Sequence, residues 1–505
     1  HGDRLPPEMQ TRVLDSIRLG LAEIRRLNVL IAYTNITTLD VVNTCLGGEL
    51  LADDQIAQRG YRKLAEWIAY TGQHGHPLEF NSPTYTSVTL RSLKRLVDLV
   101  KDADTRIRAQ TMAAKLALSV ALHVHAATGR WAGPHGRAYQ PTVVCETPPE
   151  IGLLRRWIAE GVVPDWIAGL LDNPALPFQV VETAERSLDL SLTTYQTASY
   201  ALGTSTRAFS NQANVCMAHF ARPMAQRPGV LYTRFVLDDK WFGDAYHATD
   251  RTKTRNLPDE AEYWGVQDGN RAIGLYAPTG MSQCHSAKAC LIWTDRDEVD
   301  EIWVGDTRVS TLPIDIPPEK TIVIASGEAY MAVRPLIVTP LGREAPIRLV
   351  DRGGDLVLEI YAYRGPDKRF WELNWPGAFF KGRPCIGFYV EMAARSAHGD
   401  GASFGRTVNQ GEVAQQLAPA YTNAGSGDRQ YAVTYQRDGH EVCIGVDLME
   451  WQLQRRWTET GDLVWPMMDA SNAIQQASGP IQIGDAALSG VCGPIFLYAD
   501  PDSSC

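Results

Sequence analysis

Arg222-Pro223-Met224-Ala225-Gln226-Arg227-Pro228-Gly229, followed by Val230-Leu231-Tyr232-Thr233-Arg234-Phe235-Val236-Leu237, is where the texture of this sequence changes. Two prolines and a glycine interrupt the chain. The run behind them is rich in β-branched and aromatic residues, the composition of a strand. Downstream, similar runs recur between turn signals: Ala272–Tyr276, Ala289–Thr294, Thr321–Ala325, Leu356–Tyr363, Ile386–Met392, Gln430–Arg437 and Glu441–Val446. The turns are written in Gly, Asn and Asp, as in Gln267-Asp268-Gly269-Asn270 and Arg437-Asp438-Gly439-His440. Short strands joined by turns imply stacked antiparallel sheets, not a parallel sheet with crossover helices.

Upstream the apolar period is helical. Leu14, Ile17, Leu21, Ile24 and Leu27 mark one face of a first helix. Segments 37–51, 54–71, 86–99, 103–127, 150–160, 164–171 and 182–190 continue the series, separated by Gly, Pro or Asn breaks. Such trains of helical hairpins close into a bundle, a solenoid or an (α/α) toroid. The fold class expected is α+β and multidomain: a helical domain over 1–225, then an antiparallel β-sandwich over 226–505.

The bulk properties bound the function. The 505 residues carry a formal charge of −10 and a pI near 5.6, against a general nucleic-acid binder. A locally basic cleft for an anionic sugar remains compatible with that balance. No apolar run is long enough for a membrane span. The chain starts at His1, consistent with a removed signal peptide or a trimmed terminus. His-Gly also starts copper-dependent polysaccharide oxygenases, but the rest of the sequence does not resemble them. The nine cysteines are an odd number; Cys284 with Cys290, and Cys492 with Cys505, are spaced to pair. No CxxC or HExxH spacing occurs, so no catalytic metal is expected, while a structural calcium in oxygen-rich turns fits the pattern. Asn35-Ile36-Thr37 is a glycosylation sequon.

Four loops gather polar and aromatic groups between apolar helices. Tyr33-Thr34-Asn35 follows the first helix, where Thr34 or Asn35 serves equally as a helix cap. His74-Gly75-His76-Pro77 runs into Glu79-Phe80-Asn81-Ser82-Pro83-Thr84-Tyr85. Trp131-Ala132-Gly133-Pro134-His135-Gly136-Arg137-Ala138-Tyr139 brings an imidazole, a guanidinium and a phenol within a few residues. Tyr195 and Tyr200, with Arg207, Asn211, Gln212 and His219 behind them, lie where helices are expected to hand over to sheets. In the β half, Trp241, Tyr246 and His247 could overhang a cleft, and Trp371 and Trp375 suit packing between sheets.

The order of domains and the segment Glu79–Tyr85 resemble polysaccharide lyases that join an (α/α) toroid to an antiparallel β domain, the heparinase II/III-like, alginate and chondroitin lyases. Glu79-Phe80-Asn81-Ser82-Pro83-Thr84-Tyr85 is similar to an acidic-Gly-Ser-Pro-x-Tyr element that opens a toroid helix in the heparinase-like group. His398-Gly399-Asp400-Gly401-Ala402-Ser403-Phe404 looks like a His-x-Asp-x-x-Ser-Phe stretch of their β domain, but lies later in the chain than expected. The resemblance implies β-elimination on a uronic-acid polymer in a secreted or extracellular setting, without a cofactor. Acid–base work then falls to Tyr85, His135, Tyr139 and Tyr200. Substrate binding and carboxylate neutralisation fall to Asn81, Arg137, Gln212, His76, Trp131 and Tyr195. The alternatives are a glycoside hydrolase, which needs two carboxylic acids where only Glu79 stands out, and a non-catalytic glycan-binding protein.

Overall fold

Capping and packing set the helices. The computed structural model describes residues 5–75, 78–139, 150–172, 174, 176–209, 214–239, 261–278, 283–338, 345–369, 385–419, 429–448, 450–466, 468–471, 475–476, 481–483, 486–490 and 496–499. Helix α1 (Pro7–Leu27) opens on a proline and closes on Asn28 in the left-handed region. Helix α2 (Thr34–Leu51) is buried along much of its length, and its Asp40 accepts from Arg59 and from Lys63 at 2.7 Å. Helices α3 (Asp54–His74) and α5 (Ala103–His123) start where the carboxylates of Asp53 and Asp102 accept from Ile56 N and Thr105 N. Helix α4 (Tyr85–Leu99) lies between them in sequence. Successive helices reverse direction, so the segments 28–33, 78–84 and 124–139 emerge at one end of the helical layer.

Beyond a two-residue pair, Val124–His125 with Arg130–Trp131, strands begin at Phe178, well before the expected boundary at 225, and the expected helix over 182–190 is not formed. Phe178–Glu185 and Leu190–Gln196 are instead a hairpin, closed by Arg186–Leu188 and Asp189 at φ 52°. Only the stretch 182–188 favours helix locally, and strand partners on both sides decide the outcome. Leu190–Gln196 pairs with Tyr200–Ser205, and Phe178–Glu185 pairs with Met468–Ser471. These strands extend through Cys216–Phe220, Gly229–Leu237, Gln283–Trp293, Asp355–Arg369, Ile347–Arg352 and Ile314–Asp315 into one ten-stranded sheet. Every named pairing is antiparallel.

A seven-stranded sheet packs on the first, sharing a core that includes Leu202, Phe235, Leu291, Ile324, Met331 and Phe388. Its other face meets a five-stranded sheet through Tyr330, Tyr389, Tyr431 and Ile444. The helices cover the edge of the ten-stranded sheet through Phe178, Val180, Met468 and Ala470. The chain is thus helical at its N-terminal side and antiparallel β beyond it, in successive layers. Cys284 and Cys290 are both buried on one strand and are not bonded to each other, so the expected bridge is absent; Cys492 and Cys505 lie outside the described residues. Asp400, singled out in the sequence, forms a capping box with Ser403 at the start of the helix Gly401–Asn409. Among the described residues no helix is long and apolar enough to cross a membrane.

Backbone crowding fixes how helices and sheet meet. A Cβ on Gly203 would sit 1.9 Å from the carbonyl oxygen of Gly133, a backbone atom that cannot swing away. Gly203→Ala should therefore destabilise the protein by about 1–3 kcal/mol, the usual cost of overpacking. Chemical denaturation would measure it; a substitution without effect would mean that the loop does not bear on the sheet as described.

Candidate functional site

The site grows from the turn that feeds α4. Asn81 sits in the left-handed region at φ 43°, which an Asn tolerates better than most residues. Its buried Nδ2 donates to the carbonyls of Ala132 (2.6 Å) and Pro134 (2.8 Å), clamping the loop that follows α5. In return His135 Nδ1 meets the Asn81 carbonyl at 2.6 Å. Ser82 Oγ donates to the Arg137 carbonyl at 2.6 Å, and Gly136 N donates to Phe80 O. The two loops are thus laced together over a few residues each.

That lacing aligns the side chains. The hydroxyls of Tyr85 and Tyr139 lie 2.6 Å apart. Arg137 Nη2 donates to Tyr139 Oη at 3.0 Å, and its guanidinium lies 4.3 Å from the Tyr85 ring centre. Arg137 Nη1 donates to Glu79 Oε1 at 3.1 Å, while the other oxygen of Glu79 accepts from Asn35 N at 3.0 Å. Three of the four polar loops therefore converge. Burial raises the Glu79 carboxyl above its ordinary value, against the pull of the Asn35 amide and Arg137. Burial pushes the Tyr139 phenol up, and its bond to Tyr85 adds to the rise while Arg137 opposes it. Tyr139 is consequently a protonated phenol at neutral pH, held against a cation and a second phenol.

The remaining expected residues are distributed otherwise. His135 is only 2% exposed and forms a two-way backbone bridge with Asn214. Its Nδ1 faces a carbonyl, which only accepts, so Nδ1 carries the proton. Trp131 is buried in the helical core. Tyr200 points into the core between sheets, where its hydroxyl donates to the Met392 carbonyl at 3.1 Å, and Tyr195 packs beside it. Neither tyrosine joins the Tyr85–Tyr139 pair. Asn35, the sequon residue, is 6% exposed at the start of α2, so its side chain is not presented for glycosylation. His76, Asn211, Gln212, Trp241, Tyr246, His247, Trp371 and Trp375 lie outside the described residues. Among the described residues no group of three His, Cys, Asp or Glu is arranged to hold a metal ion.

Sequence reasoning missed the partner of Glu79 and the buried seam behind the loops. A loop acid followed by a loop arginine was the available signal for the first. The seam holds His123, His125, His135, His219 and Arg130, all nearly or fully buried where α5 and its loop meet the ten-stranded sheet. His125 Nε2 donates to Thr197 O, and His123 Nδ1 to Ser119 O. Burial lowers His123, His125 and His135 to about 4. His219 falls well below its ordinary value, through burial and then the field of Arg130, His135 and His125.

The arrangement so far defines a class by architecture alone: a helical layer whose loops form a Tyr–Tyr–Arg–Glu cluster, backed by stacked antiparallel sheets. A family profile described as "Domain of unknown function (DUF8769)" matches residues 3–146, which span α1–α5 and the loops of the cluster. No curated protein matches. Among solved structures, the chain is similar to the crystal structure of a heparan sulfate lyase HepC mutant from Pedobacter heparinus, at 10% identity and a TM-score of 0.34. The alignment covers 81% of this chain and 66% of that one, so the chain spans just under two thirds of that lyase's length.

The seam sets a pH dependence. An unfolded chain protonates its histidines near 6.5; His123, His125 and His135 resist protonation to about 4, and His219 is held well below its ordinary value. Between those values the unfolded chain binds more protons, so stability rises with pH; it is complete above the unfolded value and lost as pH falls toward the folded one. Glu150 and Glu182, raised by burial to about 7, act in the opposite sense between 4.5 and 7, and the smaller rise of Glu79 adds to them. Four large shifts outweigh two large ones and a smaller one, so the melting temperature should fall on acidification from about pH 6.5 to about pH 4.5. His219→Gln should flatten that slope; a melting temperature independent of pH across the window would contradict the account.

Proposed function

We propose that this chain is a polysaccharide lyase that cleaves a uronic-acid-containing polymer by β-elimination. The observation that carries the reading is the Tyr85–Tyr139 hydroxyl pair at 2.6 Å with Arg137 on the Tyr139 oxygen. β-Elimination breaks the C5–H bond and the C4–O bond and forms a C4–C5 double bond. It needs a base for the C5 proton, an acid for the leaving oxygen, and positive charge near the carboxylate whose negative charge grows in the transition state. One hydroxyl takes the C5 proton while passing its own across the shared hydrogen bond, and the other gives its proton to the leaving oxygen. Each phenol ends the step with one proton, so the starting state is restored. Arg137, oriented by Glu79, supplies the positive charge.

On this reading the helical layer is an (α/α) toroid and the sheets behind it form a β-sandwich. The enzyme is secreted or extracellular, takes an anionic polysaccharide or oligosaccharide, and uses no cofactor. His135 then contributes by fixing the Asn81 turn, since it is buried and its Nδ1 proton is engaged. The hydrolase alternative is disfavoured because Glu79 is held by Arg137 and the Asn35 amide instead of standing free to protonate a glycosidic oxygen.

A panel of anionic polysaccharides, read for ultraviolet-absorbing unsaturated product, tests the reaction. Activity should appear on a uronate polymer, and Tyr85→Phe and Tyr139→Phe should each lower it by roughly 10²–10⁴-fold with a melting temperature near that of the parent. New reducing ends without ultraviolet absorbance would assign a hydrolase. Binding without either product would assign a glycan-binding protein. Full activity in both Phe variants would remove the tyrosine pair from the chemistry.

Glu79 should act through Arg137. Glu79→Gln retains the shape but removes the charge that orients the guanidinium, so turnover should fall while Glu79→Asp keeps part of it. Equal loss of folded protein in both variants, with normal turnover of the folded remainder, would give Glu79 a purely structural role.

A further inference from the structure

Helix α1 touches the rest of the chain along one edge. Of its 21 residues only Leu21 is buried. Leu14, Ile17 and Ile24 are half-buried, while Met9 is 48%, Val13 43% and Leu27 60% exposed. With 3.6 residues per turn, Met9, Val13, Ile17, Gly20, Ile24 and Leu27 fall within roughly 80° of arc. From Val13 onward they alternate at spacings of four and three, the rhythm of a seam between paired helices. Gly20, at the middle, has open space where a side chain would project, so a second backbone can approach closely there. Exposed apolar surface of this continuity marks an interaction site.

The charges beside the stripe select the occupant. Arg12 and Glu23 lie on the same flank, the one turned away from the buried Leu21, and Glu23 also accepts from Arg26 of its own helix. In an antiparallel pair of identical helices related by a two-fold axis, each flank meets the same flank of its partner. Arg12 of one copy then faces Glu23 of the other, and the contact is made twice. The acidic first turn at Glu8 and the basic last turn at Arg25 and Arg26 favour the same orientation, as do opposed helix dipoles.

We propose that α1 is a dimerisation helix: two copies of this chain pair their α1 helices antiparallel, with the axis near Ile17 and Gly20. Val13 of one copy inserts between Gly20 and Ile24 of the other, and Met9 packs near Leu27. The C-terminal end of α1 leads into the segment 28–33 at the end of the helical layer that holds the tyrosine pair. Antiparallel pairing therefore directs the two candidate sites toward opposite ends of the dimer. This inference does not rest on the catalytic reading.

One helix pair makes a small interface, so the dimer should be reversible with a dissociation constant on the order of micromolar. Sedimentation equilibrium of the full 505-residue chain should show the mass rising from 55.8 kDa toward twice that value with concentration. Leu27→Glu, at an exposed position, should remain a monomer throughout with an unchanged melting temperature. Arg12→Glu and Glu23→Arg should each weaken the dimer several-fold, and the double exchange should restore it. A wild-type chain that stays monomeric to hundreds of micromolar would overturn the proposal. So would a dimer indifferent to Leu27→Glu, or a double exchange that fails to recover what the single changes lose.

Discussion

The carbonyl oxygen of Gly133 occupies the place where residue 203 would carry a side chain, and Thr194 Oγ1 donates to that same oxygen at 2.8 Å. A Cβ on Gly133 would in turn meet the sulfur of Met217 at 2.1 Å. Two backbones are thus in contact across the junction between helices and sheet, with no side chain of either glycine to hold them apart. Once the loop is seated there, Asn81 can reach its carbonyls, His135 can bridge to Asn214, and Arg137 and Tyr139 follow in register toward Tyr85. The cluster of tyrosines is therefore built by a steric constraint several residues away from it.

The seam behind this contact obeys a different constraint. Four imidazoles and a guanidinium crowd together with little access to water, and charging more than one of them would set like charges against each other in a poorly screening medium. Neutral histidines resolve this, because each then needs only one donor and one acceptor satisfied. His125 meets that need with Thr128 and Thr197, and His135 spends its proton on Asn81. Nearby, Lys115 is lowered by burial to about 8 and donates to Gly75 O, while Ser119 donates to the raised carboxyl of Glu182. Helix and sheet are joined by polar groups kept near neutrality as well as by apolar packing.

Much of the architecture was legible in the sequence because its periods differ so plainly. The 3.6-residue rhythm through Leu99 and the alternating runs after Gly229 correspond to the helices and strands observed. The stretch around Glu182 was not legible. Glu-Thr-Ala-Glu-Arg-Ser-Leu reads as helix by local preference, and only strand partners on both sides, one of them Met468–Ser471 far along the chain, make it a hairpin. Tyr200 was misplaced for the same reason. Assigned to a loop at a domain seam, it falls on the inward side of a strand, where alternation hides its ring in the core. The loops carrying Tyr85, Arg137 and Tyr139 were legible as polar concentrations between apolar helices, but their lacing through Asn81 and Ser82 depends on a left-handed backbone that no composition reveals.

Glu79 shows how closely the site and the fold are bound together. A carboxylate this far from water is costly unless its oxygens are satisfied. One is held by an amide in the first turn of α2 and the other by Arg137, so the residue ties the start of α2 to the loop after α5. The cation is thereby fixed against the Tyr139 phenol, and its charge is partly balanced before any ligand arrives. On the proposed lyase reading, an anionic sugar entering the cluster would meet a guanidinium already oriented and already desolvated on one side. The reorganisation that usually accompanies charge stabilisation has then been completed during folding, which is the condition under which fixed dipoles and charges contribute most to a transition state.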